Sequence, residues 1–454
     1  MAMAGLGTEA QLKDPDYFPP LARAVPLGVQ HVLSMFVSNV TPAIIVAGAA
    51  GFGFGTPGVG ELVYMIQMSM LFAGVATLLQ TIGIGPVGAR LPIVQGTSFA
   101  FLPVMIPLVA GKGVDAMAVV TGGVLAGGLF HAVLATFIGK LRFALPPLVT
   151  GLVVLMIGLA LVKVGIQYAA GGVPAIGTPE YGSLQNWFVA LVVVVVTLGL
   201  KFFTHGLLSL GAVLIGLIVG YLAALAMGMV SFANVGAAGW VMIPEPFHFG
   251  LDFTVSAVLG FCLMGVISAI ETVAGREADT REITGATYAD GFGSALAGVF
   301  GALPNTSFSQ NVGLIAITGV MSRHVVTIGA LFLILCGLVP KVGAVISTVP
   351  IEVLGGGVIV MFGMVCASGV SMLADVDWDR RAMVIFGVSL SVGLGLQLEP
   401  AALQHLPETP RILLTSGLLP AAGLAIVLNL VLPSPLTEDQ TEELSGGMAG
   451  HARD

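Results

Sequence analysis

Two apolar runs, Phe188–Leu200 with its apolar flanks and Leu207–Met227, approach or reach the length that crosses a lipid bilayer. That length constrains the fold more than any other feature, because a helical span needs about 20 apolar residues. Comparable runs recur from one end of the chain to the other. Across all 454 residues, 56% are hydrophobic and only 9% charged, where a soluble domain carries roughly a quarter charged. No water-soluble core encloses that much apolar surface, so lipid must solvate most of it. The runs are continuous rather than alternating, and lipid tolerates only helices or a closed barrel. The reading is an all-α polytopic membrane protein.

Helical spans are expected near 24–48, 61–82, 98–110, 116–138, 144–164, 186–203 and 207–229, then near 253–273, 286–302, 307–319, 324–340, 347–372, 381–397 and 411–432. This makes fourteen, in two sets of seven. The expected organisation is an N-terminal tail at 1–22, a first seven-span repeat at 23–230, a second at 250–433 and an acidic, disordered tail at 434–454. With both termini cytoplasmic, twelve of the sixteen Lys and Arg residues fall inside and four (Lys112, Lys163, Lys341 and Arg411) outside. That bias is what the positive-inside rule expects. Residues 1–22 are polar and mixed in charge, unlike a cleavable signal. Cys262, Cys336 and Cys366 all lie in apolar segments and read as small buried hydrophobes, not as a disulfide framework or a metal site.

Two of the fourteen segments are too short or too polar to cross as complete helices. The third, Ser98–Ala110, follows ARLPIVQG; the tenth, Ser307–Gly319, follows GALPN. Both carry the same tripeptide at their start, Thr97-Ser98-Phe99 and Thr306-Ser307-Phe308. Interrupted segments at matching positions of two halves point to a midplane site in an inverted-repeat carrier. Ionisable and amide groups inside the membrane are costly enough to read as functional by default. Gln30-His31, Glu271, Asp290 and Gln310-Asn311 are the places that stand out. Glu271 reads either as a helix-end carboxylate or as a buried group that loads a proton. Gln310 offers a donor and an acceptor edge together, or a plain interhelical hydrogen bond. His31 suits a structural hydrogen bond as well as a proton relay. Asp290 either caps a helix or tunes the site, and Phe99 could stack on a flat ring.

In combination these residues resemble the nucleobase–ascorbate (uracil–xanthine) permease family. Gln310, Asn311, Gly313 and Thr318 in SFSQNVGLIAITG match its signature, and Gln30-His31, QGTSFAF at Gln95–Phe101, Glu271-Thr272 and Ala289-Asp290-Gly291 look like further marks. The resemblance implies two inverted seven-helix repeats folded into core and gate domains, usually in a homodimer. It implies extended segments in the third and tenth spans, facing one another across the substrate. Glu271 and Gln310 would clasp the polar edges of a purine base, Phe99 would cover its face, and backbone around Ser98 and Ser309 would add hydrogen bonds. His31, Asp290 and Asn311 would support the site and its coupling. An amide at Gln310 resembles the purine branch, whose cargo is xanthine or urate. Bacterial members of this kind couple to protons, which implies a proton symporter of the cytoplasmic (inner) membrane with no cofactor beyond the coupling ion H+ and no nucleic-acid partner.

One stretch departs from the family pattern. Where that pattern continues Gly-Asp into a longer polar connection, Val273 runs here into Ala274-Gly275-Arg276, which brings Glu271 nearer the surface. Other readings are a uracil or sodium-coupled member, or an anion carrier or channel of the same general fold, which would want a midplane cation. An enzyme is not expected: no GxSxG or HExxH occurs in a suitable setting. A Walker-type loop is likewise missing, and the glycine-rich stretch Gly48–Gly60 has no lysine and reads as a flexible turn.

Overall fold

The computed structural model describes residues 7–53, 56–141, 146–273, 279–308, 311, 314–315 and 318–433, and the side chains of these apart from residues 140, 141, 207, 234 and 271–273. After a single helical turn at Glu9–Leu12 come helices α1 (Leu21–Ala50) and α2 (Val59–Ile82). Strand β1 (Gln95–Thr97) and the short helix α3 (Leu102–Val109) follow, then α4 (Met117–Ala135), α5 (Pro147–Ala169), α6 (Leu184–Phe203) and α7 (Ala212–Ala226). The second half runs through α8 (Val255–Val273), α9 (Thr280–Val299), strand β2 (Asn305–Ser307) and α10 (Arg323–Gly337). It ends with α11 (Pro340–Ile346), α12 (Ile351–Leu373), α13 (Arg380–Leu398), α14 (Glu408–Thr415) and α15 (Leu418–Val431).

Among the described residues, seven helices are long and apolar enough to cross a membrane, or nine if each of two bent pairs is one span. Fourteen full spans are not reached by that measure, for identifiable reasons. The third segment is a strand followed by eight residues of helix, and the tenth opens as a strand. The expected span 324–340 ends at Gly337, after which Pro340 starts α11 at an angle of 85° to α10. The expected span 411–432 is bent by 82° at Gly417, whose φ of +71° suits a residue without Cβ. Helix α9 begins at Thr280, earlier than the expected 286, because the Glu282 carboxylate accepts the Asp279 N–H at 3.1 Å and closes the first turn. The expected tail 434–454 lies outside the described residues.

The helices sort into two packed groups, each drawn from both halves of the chain. One holds α1–α4 with α8–α10 and the two strands; the other holds α5–α7 with α12, α13 and α15. Apolar surface alone does not hold helices together in lipid, so close packing of small residues does the work. Helices α5 and α12 meet along their length through glycines. A Cβ at Gly355 would sit 2.2 Å from the Ala169 backbone N, and one at Gly369 would sit 2.4 Å from Leu155 N. In the first group, a Cβ at Gly291 of α9 would lie 2.5 Å from Ala132 N of α4. Gly363, also in α12, has open space where its Cβ would be. Gly355→Ala should therefore destabilise the protein by about 1–3 kcal/mol through overpacking, read as a lower melting temperature in detergent, while Gly363→Ala should not. Equal behaviour of the two variants would contradict this packing.

Candidate functional site

The two broken segments pair directly. Strands β1 and β2 are antiparallel, with Gln95 opposite Ser307, Gly96 opposite Thr306 and Thr97 opposite Asn305. They therefore leave no gap for a substrate between them, contrary to the expectation that they face each other across one. Their flanks extend the ladder, since Ser98 N–H donates to Pro304 O at 2.8 Å and Phe308 N–H donates to Val94 O at 2.9 Å. The Ser98 N–H expected to serve a ligand is thus already engaged. Its Oγ, fully buried, has no hydrogen-bond partner among the described residues.

Buried polar side chains from three helices fix this pair in place. From α9, the fully buried Asp290 accepts from Gln95 Nε2 at 2.5 Å and from Ser307 Oγ at 3.4 Å, so one carboxylate grips both strands. Gln95 Nε2 also donates to Ser307 Oγ at 2.9 Å. From α2, Thr77 Oγ accepts the Gln95 N–H at 2.9 Å. From α1, Asn39 Oδ1 accepts both the Thr97 N–H at 2.9 Å and its hydroxyl at 3.1 Å, while Nδ2 donates to Ser69 O at 3.1 Å. Asp290 lies in the interior of α9, so the cap alternative falls away and a clamp takes its place. Asn39 and Thr77 were not singled out from the sequence. The cost of an intramembrane amide was the available signal for Asn39.

His31 and Asn311 come together behind the tenth segment. Asn311 Nδ2 lies 3.0 Å from His31 Nδ1 and donates to His31 O at 3.0 Å, with Ser34 Oγ at 3.5 Å. An amide NH2 facing Nδ1 makes that nitrogen the acceptor and assigns the imidazole proton to Nε2. His31 thus makes a structural hydrogen bond, one of its two readings. Ser309 and Gln310 lie outside the described residues, as does the side chain of Glu271. The Glu271 backbone belongs to the last turn of α8. One turn earlier, Ser268 Oγ reaches Thr306 Oγ of β2 at 3.5 Å.

A cavity of about 420 Å³ opens beside the end of β1, between the two helix groups. Pockets of roughly 300–1,000 Å³ hold small ligands. Ser34, Ser38 and Phe99 line it from the first group; Thr197, Met361 and Phe362 line it from the second. Phe99 and Phe362 meet edge to face at a centroid distance of 5.3 Å, and Ser38 Oγ reaches Met361 Sδ at 3.3 Å. Phe99 lines this cavity, and Phe362 is an aromatic partner that a single phenylalanine in an apolar run does not advertise. Lys201 is the only charged side chain among the described lining residues, and it sits in the last turn of α6. Buried polar atoms without partners among the described residues occur along the two broken segments, outside the cavity's own lining: Gln95 Oε1, Ser98 Oγ, both side-chain heteroatoms of Asn305, and Asn311 Oδ1. Such groups are costly when left unpaired, which suits a polar, uncharged ligand or ordered water. Asn39→Ala strips the acceptor from a buried Thr97 N–H and should cost about 1–3 kcal/mol. The check is the melting temperature in detergent, and an unchanged value would remove Asn39 as the anchor of β1.

Comparison with known proteins bears on the family and the fold. The sequence model of the xanthine/uracil-type "Permease family" matches residues 22–402. The chain is 36% identical over 433 residues to the uric acid permease PucJ of Bacillus subtilis, covering 92% of this chain and 95% of that one. It is 34% identical over 438 residues to the xanthine permease XanP of Escherichia coli, covering 91% and 93%. In three dimensions it resembles the transmembrane domain of the bicarbonate transporter BicA of a cyanobacterium, with a TM-score of 0.56 at 14% identity, covering 90% of this chain and 98% of that one. That likeness is one of fold and establishes the inverted-repeat transporter architecture. Because the matched family consists of permeases, the protein is a multi-pass membrane transporter and not an enzyme. With the signature in SFSQNVGLIAITG, the clamp on two broken segments and these matches together, the chain belongs to the nucleobase–ascorbate (uracil–xanthine) permease family.

Proposed function

We propose that the protein imports a purine base, xanthine or urate, by proton symport across the bacterial cytoplasmic membrane, as a homodimer with both termini inside. The observation that carries the reading is the cavity at the end of β1, lined by the edge-to-face pair Phe99 and Phe362. A flat heterocycle gains from aromatic faces and edges, and a dry site selects it by matching its hydrogen-bond edge. Adenine presents the reverse donor and acceptor pattern and is rejected on that ground. Relatives named as uric acid and xanthine permeases, alike over nearly their whole length, support the cargo class. A lining with a single cation, Lys201 in the last turn of α6, gives an inorganic-anion reading little to work with.

Within this reading Glu271 and Gln310 hold the polar edges of the base, with Ser98 Oγ and Ser309 nearby. The Ser268–Thr306 contact one turn before Glu271 brings that part of α8 up to β2 and supports the assignment. Protonation of Glu271 changes what it offers the base and so links the proton gradient to binding. Asp290, His31 and Asn311 act through the scaffold. The positive-inside bias makes the membrane face near Lys201 cytoplasmic, so the cavity opens inward. Alternation then moves the first helix group against the second.

Uptake of labelled xanthine into proteoliposomes under an inward proton gradient tests the reading. Accumulation should collapse with a protonophore, be suppressed by urate but not by uracil or ascorbate, and vanish in Glu271→Gln. Folded protein that accumulates no xanthine under any gradient overturns the cargo assignment. Full accumulation by Glu271→Gln removes that residue from coupling.

A further inference from the structure

Two connections join the helix groups on the side that the positive-inside reading makes external, and they are fastened to each other. Residues 227–254 lead from α7 to α8, and residues 338–350 lead from α10 through α11 to α12. Met242 N–H donates to Leu338 O at 3.0 Å, Lys341 Nζ donates to Val235 O at 3.2 Å, and the same ammonium lies 5.0 Å above the Trp240 ring. Further along the first connection, His248 is held on α2. Its Nε2 is 2.7 Å from Glu61 Oε2, its Nδ1 is 3.0 Å from Glu245 Oε2, and its ring stacks on Tyr64 at 3.8 Å. Tyr64 Oη donates toward Glu245 O at 3.1 Å and Phe300 O at 2.9 Å, which fixes the stacking ring.

A second observation marks the same spot. Phe247, immediately before His248, has a φ of +60°, a left-handed conformation that a bulky side chain rarely adopts. Such strain persists only where surrounding contacts over-determine it. Phe247 N–H donates to Val299 O at 2.6 Å on one side, and the His248 clamp holds the other. The histidine contacts therefore keep a strained segment pulled down onto α2.

We propose that His248, Glu61 and Glu245 form an acid-closed latch on the outer face, which shortens the tether between the two helix groups when external pH falls. An imidazole with a carboxylate at each nitrogen donates to both only when protonated. The groups facing it are Glu61 and Tyr64 from α2 and Glu245 from its own connection; Lys341 of α11 is turned to Val235 and Trp240 instead. Partial burial works against the charged ring, but the hydrogen bonds and charges of Glu61 and Glu245 outweigh it and raise the His248 pKa above its ordinary value. A raised pKa gives a latch that is fully formed below the ordinary histidine value of about 6.5 and loosens as pH climbs through the higher one. Once loosened, the strain at Phe247 relaxes and the connection lengthens. The latch is independent of which cargo the carrier moves.

Spin labels at Gly60→Cys on α2 and Ile243→Cys on the connection, with Cys262, Cys336 and Cys366 replaced by alanine, report the tether in liposomes without any transport. Pulsed electron–electron distance measurements should give one narrow distribution at pH 6 and a broad, longer one at pH 9. His248→Gln and Glu61→Gln should be broad at both pH values. A wild-type distribution that does not change with pH overturns the latch, and so does a pH response retained in His248→Gln. These distances are read without purine, so failure of purine uptake leaves the latch standing, and loss of the latch leaves the cargo assignment standing.

Discussion

The paired hydrogen bonds that Asp290 accepts from Gln95 and Ser307 are the constraint on which the rest of the site depends. Two segments that abandon the helix in mid-membrane would leave backbone N–H and C=O groups stranded in an apolar medium. Pairing them as a two-stranded ladder satisfies most of those groups, and a single buried carboxylate fixes the register from α9. Asn39 repeats the device from α1, using one oxygen to take both donors of Thr97. The broken spans can then end at a defined depth, beside the cavity, with most of their backbone groups paired.

Rigidity on one side and sliding on the other follow from how the helices pack. Glycine-lined approaches weld α5 to α12 and α4 to α9 within their own groups. Contacts between the groups are sparser: an edge-to-face pair of phenylalanines, a hydroxyl on a thioether, and one buried hydrogen bond from Tyr168 Oη to Ile44 O at 3.1 Å. Thioether and aromatic contacts re-form easily after a shift, whereas a glycine seam does not. The boundary between the groups is thus the natural plane of movement, with the cavity lying on it.

Much of this was legible in the residues. Continuous apolar runs identified the membrane fold, and a repeated Thr-Ser-Phe after Gly/Pro-rich stretches located both broken segments to within a few residues. Polar groups in apolar surroundings marked His31, Asp290 and Asn311, all of which meet buried partners. What remained hidden is what depends on distant pairing. Nothing near Gln95 in sequence announces that its partner is 195 residues away. The strands were expected to face across a substrate, but three-residue segments cannot stand unpaired. The bends before Pro340 and at Gly417 also escaped, although Pro340-Lys341 and Thr415-Ser416-Gly417 were the local signals for them. The cap at Asp279–Glu282 was readable and sets the start of α9.

The central claim is that a purine occupies the cavity lined by Phe99 and Phe362, and protection of a lining position tests it most directly. Ser34 lines that space from α1, so Ser34→Cys, in a background with the native cysteines replaced by alanine, can be labelled with a maleimide in the presence and absence of ligand. Saturating xanthine or urate should slow the labelling at least several-fold, and uracil and ascorbate should leave it unchanged. Labelling at the same rate with and without xanthine, in protein shown to bind xanthine, would place the purine elsewhere and contradict the account.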